Sequence, residues 1–552
     1  MTHRTLPYEW SFLGLVIVAL TMVRLIDPGN IIGNGSDVSS HLMRSLRLFD
    51  TSPLLVTPPL TRNSFFNIIN YEHGYTTVVL PALLYLPAFA LAQLPITDVN
   101  LAAINATLAA AGLALFHIVF RKAFGPLRSL LLIGLIGLAP QHVTSSTTLP
   151  AYTPLLIALL WGSFGAAWRF LETRDTRWLL AFHGLTFLYV GSDVLYVAGL
   201  GFQVLFIAAL ARSTGVTRTE ALRLVYGSPI SLISIVMPTI LFVAVWAVLH
   251  SGPLVRILDQ LTGLFMASAP ARSDAATSPA LLTSIPGFLS GLFLRLGPIA
   301  ALALPGTYVA VRHRTPLDIL ALAIVVVMMP LLLIRSGSIH TLLLAPPLAY
   351  LTMRGMLLLL PGRKWVIAGV TAALAWSAIH VGMVVFHRVD GVAISERAGK
   401  FFSNRQPETG GKAVALMIRS GMLPVRDIRL AYNPDVPFFS IWVPIESAYF
   451  HLGGYPIDHK PGLDCGDPGL PDAIALNDRT TPFGIDADKI VAKCGYHPAV
   501  EVVRDGKRLL EVFLKPGLAA PSGFFTLDAH AAGLEFDQRY GNRRDLPRYF
   551  LY

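Results

Sequence analysis

Apolar stretches of about 20 residues recur along the first seven-tenths of the chain, and this feature leaves few folds open. A helix rises about 1.5 Å per residue, so roughly 20 apolar residues are what it needs to cross the hydrocarbon core of a bilayer. The chain has 552 residues, 54% of them hydrophobic and 14% charged. A soluble chain carries roughly 25% charge, which excludes a water-soluble globular fold. Disorder is excluded by the same figures, because it needs low hydrophobicity and high charge. The sequence describes an α-helical polytopic membrane protein.

Basic residues are unevenly spread. The first 389 residues hold 24 Lys+Arg against 13 Asp+Glu, whereas residues 390–552 hold 19 against 20. The excess sits in short loops between apolar runs, where it is a topology signal rather than a nucleic-acid footprint. No nucleic-acid partner is expected. The first run, Trp10 to Ile26, is long for a signal-peptide core and no small-residue cleavage site follows it, so it reads as an uncleaved first helix. The basic loops are Arg121 to Arg128, Arg169 to Arg177, Arg212 to Arg223, Arg312 to Arg314 and Arg363-Lys364. Placing all of them in the cytoplasm gives eleven spans, near 10–26, 98–120, 128–140, 153–171, 178–191, 194–211, 228–250, 286–311, 317–334, 341–360 and 364–387. The N-terminus is then cytoplasmic and the tail lies outside. Tyr75 to Leu94 is left over. If it crossed, every later basic loop would face outward, and its Pro81 and Pro87 interrupt a helix, so it reads as re-entrant or interfacial. The first outer loop thus runs from about Asp27 to Val99, and loops of that length are usually functional.

The division falls at residues 1–389, the membrane module, and 390–552, a soluble α+β domain of ordinary polarity. Gly411 to Ser420 has a helical pattern. Val500-Glu501-Val502-Val503 and Leu509 to Leu514 flank an Asp505-Gly506 pair, a hairpin signal. The Arg-rich end, Asp537 to Arg548, reads as an extended arm. Both cysteines, Cys465 and Cys494, lie in this domain. In an oxidising compartment they would close a loop of about 30 residues and contribute roughly 3 kcal/mol; the alternative is two unpaired thiols. No internal repeat is visible.

Polar residues near a bilayer are costly and need an explanation. After the first helix comes Gly33-Asn34-Gly35-Ser36-Asp37, a turn in which Ser36 or Asp37 can cap a helix. Leu42, Leu46 and Phe49 then give that helix an apolar stripe, and Asp37 and His41 share a face. On local grounds Asp37 could be a cap and nothing more. The loop's second half carries Tyr71-Glu72-His73-Gly74-Tyr75 before an apolar stretch with Pro81. Later come Ile334-Arg335-Ser336-Gly337-Ser338-Ile339-His340 and an apolar segment with Pro346-Pro347.

Over residues 8–390 this arrangement resembles the integral-membrane C-type glycosyltransferases (GT-C), in particular the bacterial dolichyl-phosphate-mannose-protein mannosyltransferase-like members. The resemblance implies a GT-C-like fold and an inverting transfer of a sugar from a polyprenyl-phosphate donor. The acceptor would be a glycan, lipid or protein at the outer face of a bacterial inner membrane, with the tail domain periplasmic. It implies Asp37 as the catalytic carboxylate, and Arg335 and His340 as donors to the leaving phosphate. His41, Glu72, His73 and His142 are the further substrate-binding candidates. Two departures stand out. The loop after the third helix, Ala139 to Tyr152, has His142 and hydroxyls where many relatives carry a second acid, and Gly191-Ser192-Asp193 stands where many have a lysine. No metal site is assigned, although Glu72-His73 beside Asp37 and His41 could bind a divalent cation. There is no phosphate-binding loop, dinucleotide fingerprint or Cys/His metal spacing. Two other readings stay open: a transporter or lipid flippase, which would place ionisable residues in mid-span, and a non-enzymatic membrane scaffold or sensor.

Overall fold

The computed structural model describes residues 8–26, 75–95, 97–148, 154–192, 196–240, 279–334, 339–389, 392–394, 410–425, 428–430, 457–458, 465, 470–477, 493–504 and 506–540. These fall into two compact units. The first draws on described residues within 8–26, 75–81 and 102–394, the second on those within 82–101 and 410–540.

The first unit is helical. It opens with α1 (Glu9–Leu25), α2 (Thr76–Tyr85), α3 (Asp98–Phe124), α4 (Pro126–Gly137), α5 (Pro140–Thr148), α6 (Pro154–Thr173), α7 (Thr176–Val190), α8 (Tyr196–Thr214) and α9 (Arg218–Tyr226). It continues with α10 (Pro279–Leu296), α11 (Ile299–Leu302), α12 (Leu304–His313), α13 (Pro316–Ile334), a 3-10 turn (Ile339–Leu344), α14 (Ala345–Leu359) and α15 (Gly362–Val381). One apolar core runs through it, with Trp161, Phe116, Phe120, Phe164, Phe182 and Phe206 fully buried. Among the described residues five helices are long and apolar enough to cross a membrane: Val99–Phe124, Pro154–Thr173, Val197–Thr214, His340–Leu359 and Gly362–Phe386. They coincide with five of the expected spans.

One expected span, 286–311, is broken instead of straight, and another bend closes the expected span 128–140. Pro126–Gly137 and Pro140–Thr147 meet at 69°, and Pro286–Leu296 and Ile299–His313 at 114°. Each break has a chemical cause. Pro140 and Pro298 lack the N–H that a continuing helix would use, and Gly297 at φ 69° takes a backbone conformation other residues avoid. The expected outer loop 139–152 is thus largely the helix α5. The leftover segment also differs from expectation, since Pro81 lies inside α2 and the chain continues through Pro87 as a π turn, Leu86–Leu91. A wider turn is one way a helix absorbs a misfit residue.

Small residues and buried polar pairs join the helices, as expected where hydrocarbon gives no hydrophobic drive between them. α12 and α14 pack at Gly306 and Gly355; a Cβ on Gly306 would lie 1.7 Å from Leu351 O. Gln203 on α8 donates to Ser163 on α6 and Thr186 on α7, at 2.8 and 3.1 Å. The buried Asp318 on α13 accepts from Tyr350 at 2.9 Å and from both Nε and Nη2 of Arg354 on α14. At the start of α1, buried Glu9 meets His117 and Arg121, each at 2.7 Å.

The part of the second unit near the C-terminus has the expected α+β make-up. Its sheet has the order β4-β3-β5-β7-β6-β8, with β3 Ile428–Leu430, β4 Ile457–Asp458, β5 Ala473–Asn477, β6 His497–Arg504, β7 Lys507–Leu514 and β8 Phe525–Asp528; β1 (Arg388–Val389) and β2 (Val392–Ala393) form a separate pair in the first unit. β6 and β7 are the anticipated hairpin, pairing Arg504 with Lys507, so its turn is two residues long. Helices α16 (Gly411–Arg419) and α17 (Ala529–Tyr540) pack on each other, and Lys412 reaches Asp537 at 2.8 Å. Glu501 and Glu511 oppose each other across the hairpin, and Arg508 bridges both. Burial opposes the Arg508 charge, but the two carboxylates outweigh it and raise its pKa. Residues 537–540 are the last turn of α17 and not an extended arm; the rest of that expected arm lies outside the described residues. Cys465 and Cys494 are joined, their Cα atoms 5.1 Å apart.

Candidate functional site

α5 has the sequence PQHVTSSTT, which reads as a surface loop, yet Gln141, His142, Thr144, Ser145, Ser146 and Thr147 are all buried. It packs against α1, α10 and the 3-10 turn. Polar side chains from these elements collect around it within an otherwise apolar unit.

Arg24, in the last turn of α1, is fully buried. Its Nη1 donates to Leu20 O at 2.5 Å, and its Nη2 donates to Gly137 O at 2.9 Å and to His142 Nδ1 at 2.7 Å. Gly137 ends α4, so its carbonyl is one of those that the break in the span leaves without an N–H partner. Arg24 satisfies it from a neighbouring helix. The second break is treated alike: His380 on α15 lies against Gly297, its Nε2 donating to Phe293 O at 3.1 Å and Leu294 O at 3.3 Å. In a bilayer each such carbonyl must find an internal donor.

Arg295, in the last turn of α10, is 3% exposed and donates from Nη1 to Thr341 Oγ1 at 2.5 Å. Thr341 follows His340 at the start of the 3-10 turn, and both are buried. Two residues on, Leu343 lines a small apolar cavity of about 20 Å³ whose walls include Leu160, Trp161, Tyr189, Phe202 and Met328. One short turn therefore carries both the contact with Arg295 and a wall of that small apolar space.

Of the residues singled out by sequence, His142 and His340 come into this region. Asp37, His41, Glu72, His73 and Arg335 lie outside the described residues. The chain re-enters the described structure at Tyr75, held to the end of α7 by Tyr75 Oη donating to Phe187 O at 2.6 Å and Thr76 N to Gly191 O at 2.8 Å. Arg24 was not singled out from the sequence, although a charged residue within an apolar run is a signal in itself. His183, an ionisable residue nearer the end than the centre of its expected span, joins helices, contacting Ser234 at 2.8 Å and Val225 O at 3.1 Å. Among the described residues no group of three or more His, Cys, Asp and Glu could hold a metal ion.

No protein-family model matches the chain. No curated protein matches it in sequence. Solved structures do match in fold. ArnT from Cupriavidus metallidurans bound to undecaprenyl phosphate is similar at TM-score 0.53 and 13% identity, over 92% of this chain and 98% of that one. Its apo state gives TM-score 0.50 and 12% identity over the same shares. The Archaeoglobus fulgidus oligosaccharyltransferase in complex with Zn and sulfate gives 0.51 and 12%, over 82% of this chain and 62% of that one. The chain thus spans less than two thirds of the archaeal protein but nearly all of ArnT. Both are C-type glycosyltransferases, and the chain has their fold: a polytopic helical membrane unit with a small sheet domain near its C-terminus.

Proposed function

We propose that the protein is an inverting glycosyltransferase that moves a sugar from a polyprenyl-phosphate donor to a glycan, lipid or protein acceptor at the outer face of a bacterial inner membrane. The observation that carries this reading is the fold match along nearly the whole length of ArnT, whose structure holds undecaprenyl phosphate. The 3-10 turn supports it: Arg295, held on Thr341, supplies there a cation of the kind that a lipid phosphate needs.

In this reading Asp37 takes the proton from the acceptor hydroxyl as its oxygen attacks the anomeric carbon. The bond from that carbon to the phosphate oxygen breaks, and its electron pair leaves on polyprenyl phosphate. A positioned base is worth typically 10²–10⁴-fold. Charge grows on the leaving oxygens, where preorganised donors stabilise it. Arg335 and His340 take that role, the guanidinium suiting a phosphate because its donors form a planar fork. His41, Glu72 and His73 would line the acceptor side. The tail domain lies in the periplasm and helps select the acceptor. A cytoplasm-only reporter fused after Tyr552 should therefore be silent; activity there would invert the topology.

The reading is tested by incubating purified protein with a panel of polyprenyl-phosphate sugars. Thermal stabilisation by one of them, or its slow hydrolysis to polyprenyl phosphate, is expected. Indifference to the whole panel would contradict it.

A further inference from the structure

Arg24 determines which nitrogen of His142 carries the proton. A guanidinium has five N–H donors and no acceptor. Its Nη2 lies 2.7 Å from His142 Nδ1, so Nδ1 accepts and the ring proton sits on Nε2. An imidazolium would turn an N–H against the guanidinium N–H. The Ser146 hydroxyl also lies 3.0 Å from Nδ1, but its proton goes to the His142 carbonyl, so Arg24 remains the donor to that nitrogen.

The Nε2–H so created has no hydrogen-bond partner among the described residues, although His142 is only 2% exposed. Arg24 Nε is in the same state, and so is the Gln141 Oε1 acceptor beside them in sequence. A buried donor left unmade costs roughly 1–3 kcal/mol, and here two occur on directly bonded side chains. Among the described residues the surroundings favour an anion. The described carboxylates of this unit are Glu9, Glu172, Asp175, Glu220 and Asp318. Four of them are engaged elsewhere: Glu9 with His117 and Arg121, Glu172 with Lys122, Asp175 capping α7, and Asp318 with Arg354. Glu220 lies in the first turn of α9. None is a partner of Arg24. His142 also sits in the first turn of α5, at the positive end of that helix dipole.

We propose that Arg24 and His142 form an oxyanion-binding pair that takes a phosphate oxygen, with Arg24 holding the ring and His142 Nε2–H making the contact. This rests on the glycosyltransferase reading for the source of the phosphate, the donor lipid, and it adds a recognition element at the bend after α4 to the one expected at Arg335.

The test uses the full-length protein in phosphatidylcholine nanodiscs, with undecaprenyl phosphate in one arm and inorganic phosphate in the other. His142→Asn places an amide oxygen near the Nδ1 position and keeps Arg24 paired, but removes the Nε2 donor. His142→Gln puts an amide N–H near the Nε2 position. His142→Asn should bind undecaprenyl phosphate at least tenfold more weakly at an unchanged unfolding midpoint, as for loss of a hydrogen bond to a charged group. His142→Gln should stay within about threefold. Wild-type affinity in His142→Asn would overturn the pair and leave the glycosyltransferase reading standing. A His142-dependent response to inorganic phosphate alone would support the pair and overturn the lipid source; a wild-type protein that binds neither overturns both. Should His142→Asn fail to fold, ¹⁵N-histidine spectra of the wild type replace it, with His142→Gln assigning the peak. Undecaprenyl phosphate should then shift the Nε2 resonance, and an unmoved resonance would overturn the proposal.

Discussion

The ring of Tyr75 fills the space that a side chain on Gly191 would need: a Cβ on Gly191 would lie 2.2 Å from Tyr75 Cζ. The contact sits among hydrogen bonds from Tyr75 and Thr76 to the last turn of α7, including Thr76 Oγ1 donating to Leu188 O at 2.7 Å. It anchors the start of the segment 75–94, within the expected first outer loop. Gly191→Ala should push the ring away and cost about 1–3 kcal/mol, the usual range for overpacking. Chemical unfolding in mixed micelles measures it; an unchanged midpoint would mean that the ring moves aside freely.

Asp318 gives a second test. It accepts hydrogen bonds from Thr315, Tyr350 and Arg354 and is fully buried, while the Arg354 side chain is 20% exposed. Asp318→Asn leaves the guanidinium without its counter-charge, and breaking a buried pair costs about 3–5 kcal/mol. The same unfolding assay should show a loss larger than that of Gly191→Ala. A neutral Asp318→Asn would contradict the role given to this pair in joining α13 to α14.

Much of the architecture was legible because the bilayer simplifies the code. Hydropathy located the five long helices, and two cysteines confined to one domain pointed to the bridge that forms. The Asp505-Gly506 hairpin was equally plain, with Gly506 at φ 71°. The breaks were not read, although Pro140 and the Gly297-Pro298 pair announced them, because a hydropathy window averages over a bend. The polar side chains of α5 make it read as loop; its burial comes from partners on other helices, which local pattern cannot contain. Arg24 is hidden from local pattern for the same reason. It lies in an apolar run, and its partners Gly137 and His142 are more than a hundred residues away.

The disulfide can be weighed on its own. Cys465 and Cys494 are 29 residues apart, so replacing both by serine should destabilise the second unit by about 3–4 kcal/mol on the loop-entropy estimate. Non-reducing mass mapping should recover the linked peptides from protein made in an oxidising compartment. Free thiols at both positions would contradict the bridge.

The central claim is sugar transfer from a polyprenyl-phosphate donor with the Asp37 carboxylate as base, and Asp37→Asn addresses it most directly. Asn caps a helix about as well as Asp, so folding should be preserved while the base is lost. The measurement is the rate at which polyprenyl phosphate is released from its sugar in the presence of a cell-envelope acceptor extract, in wild type and variant at equal unfolding midpoint. The rate should fall by roughly 10²-fold or more. A variant that turns over within threefold of wild type would contradict the claim and make Glu72 the next carboxylate to test.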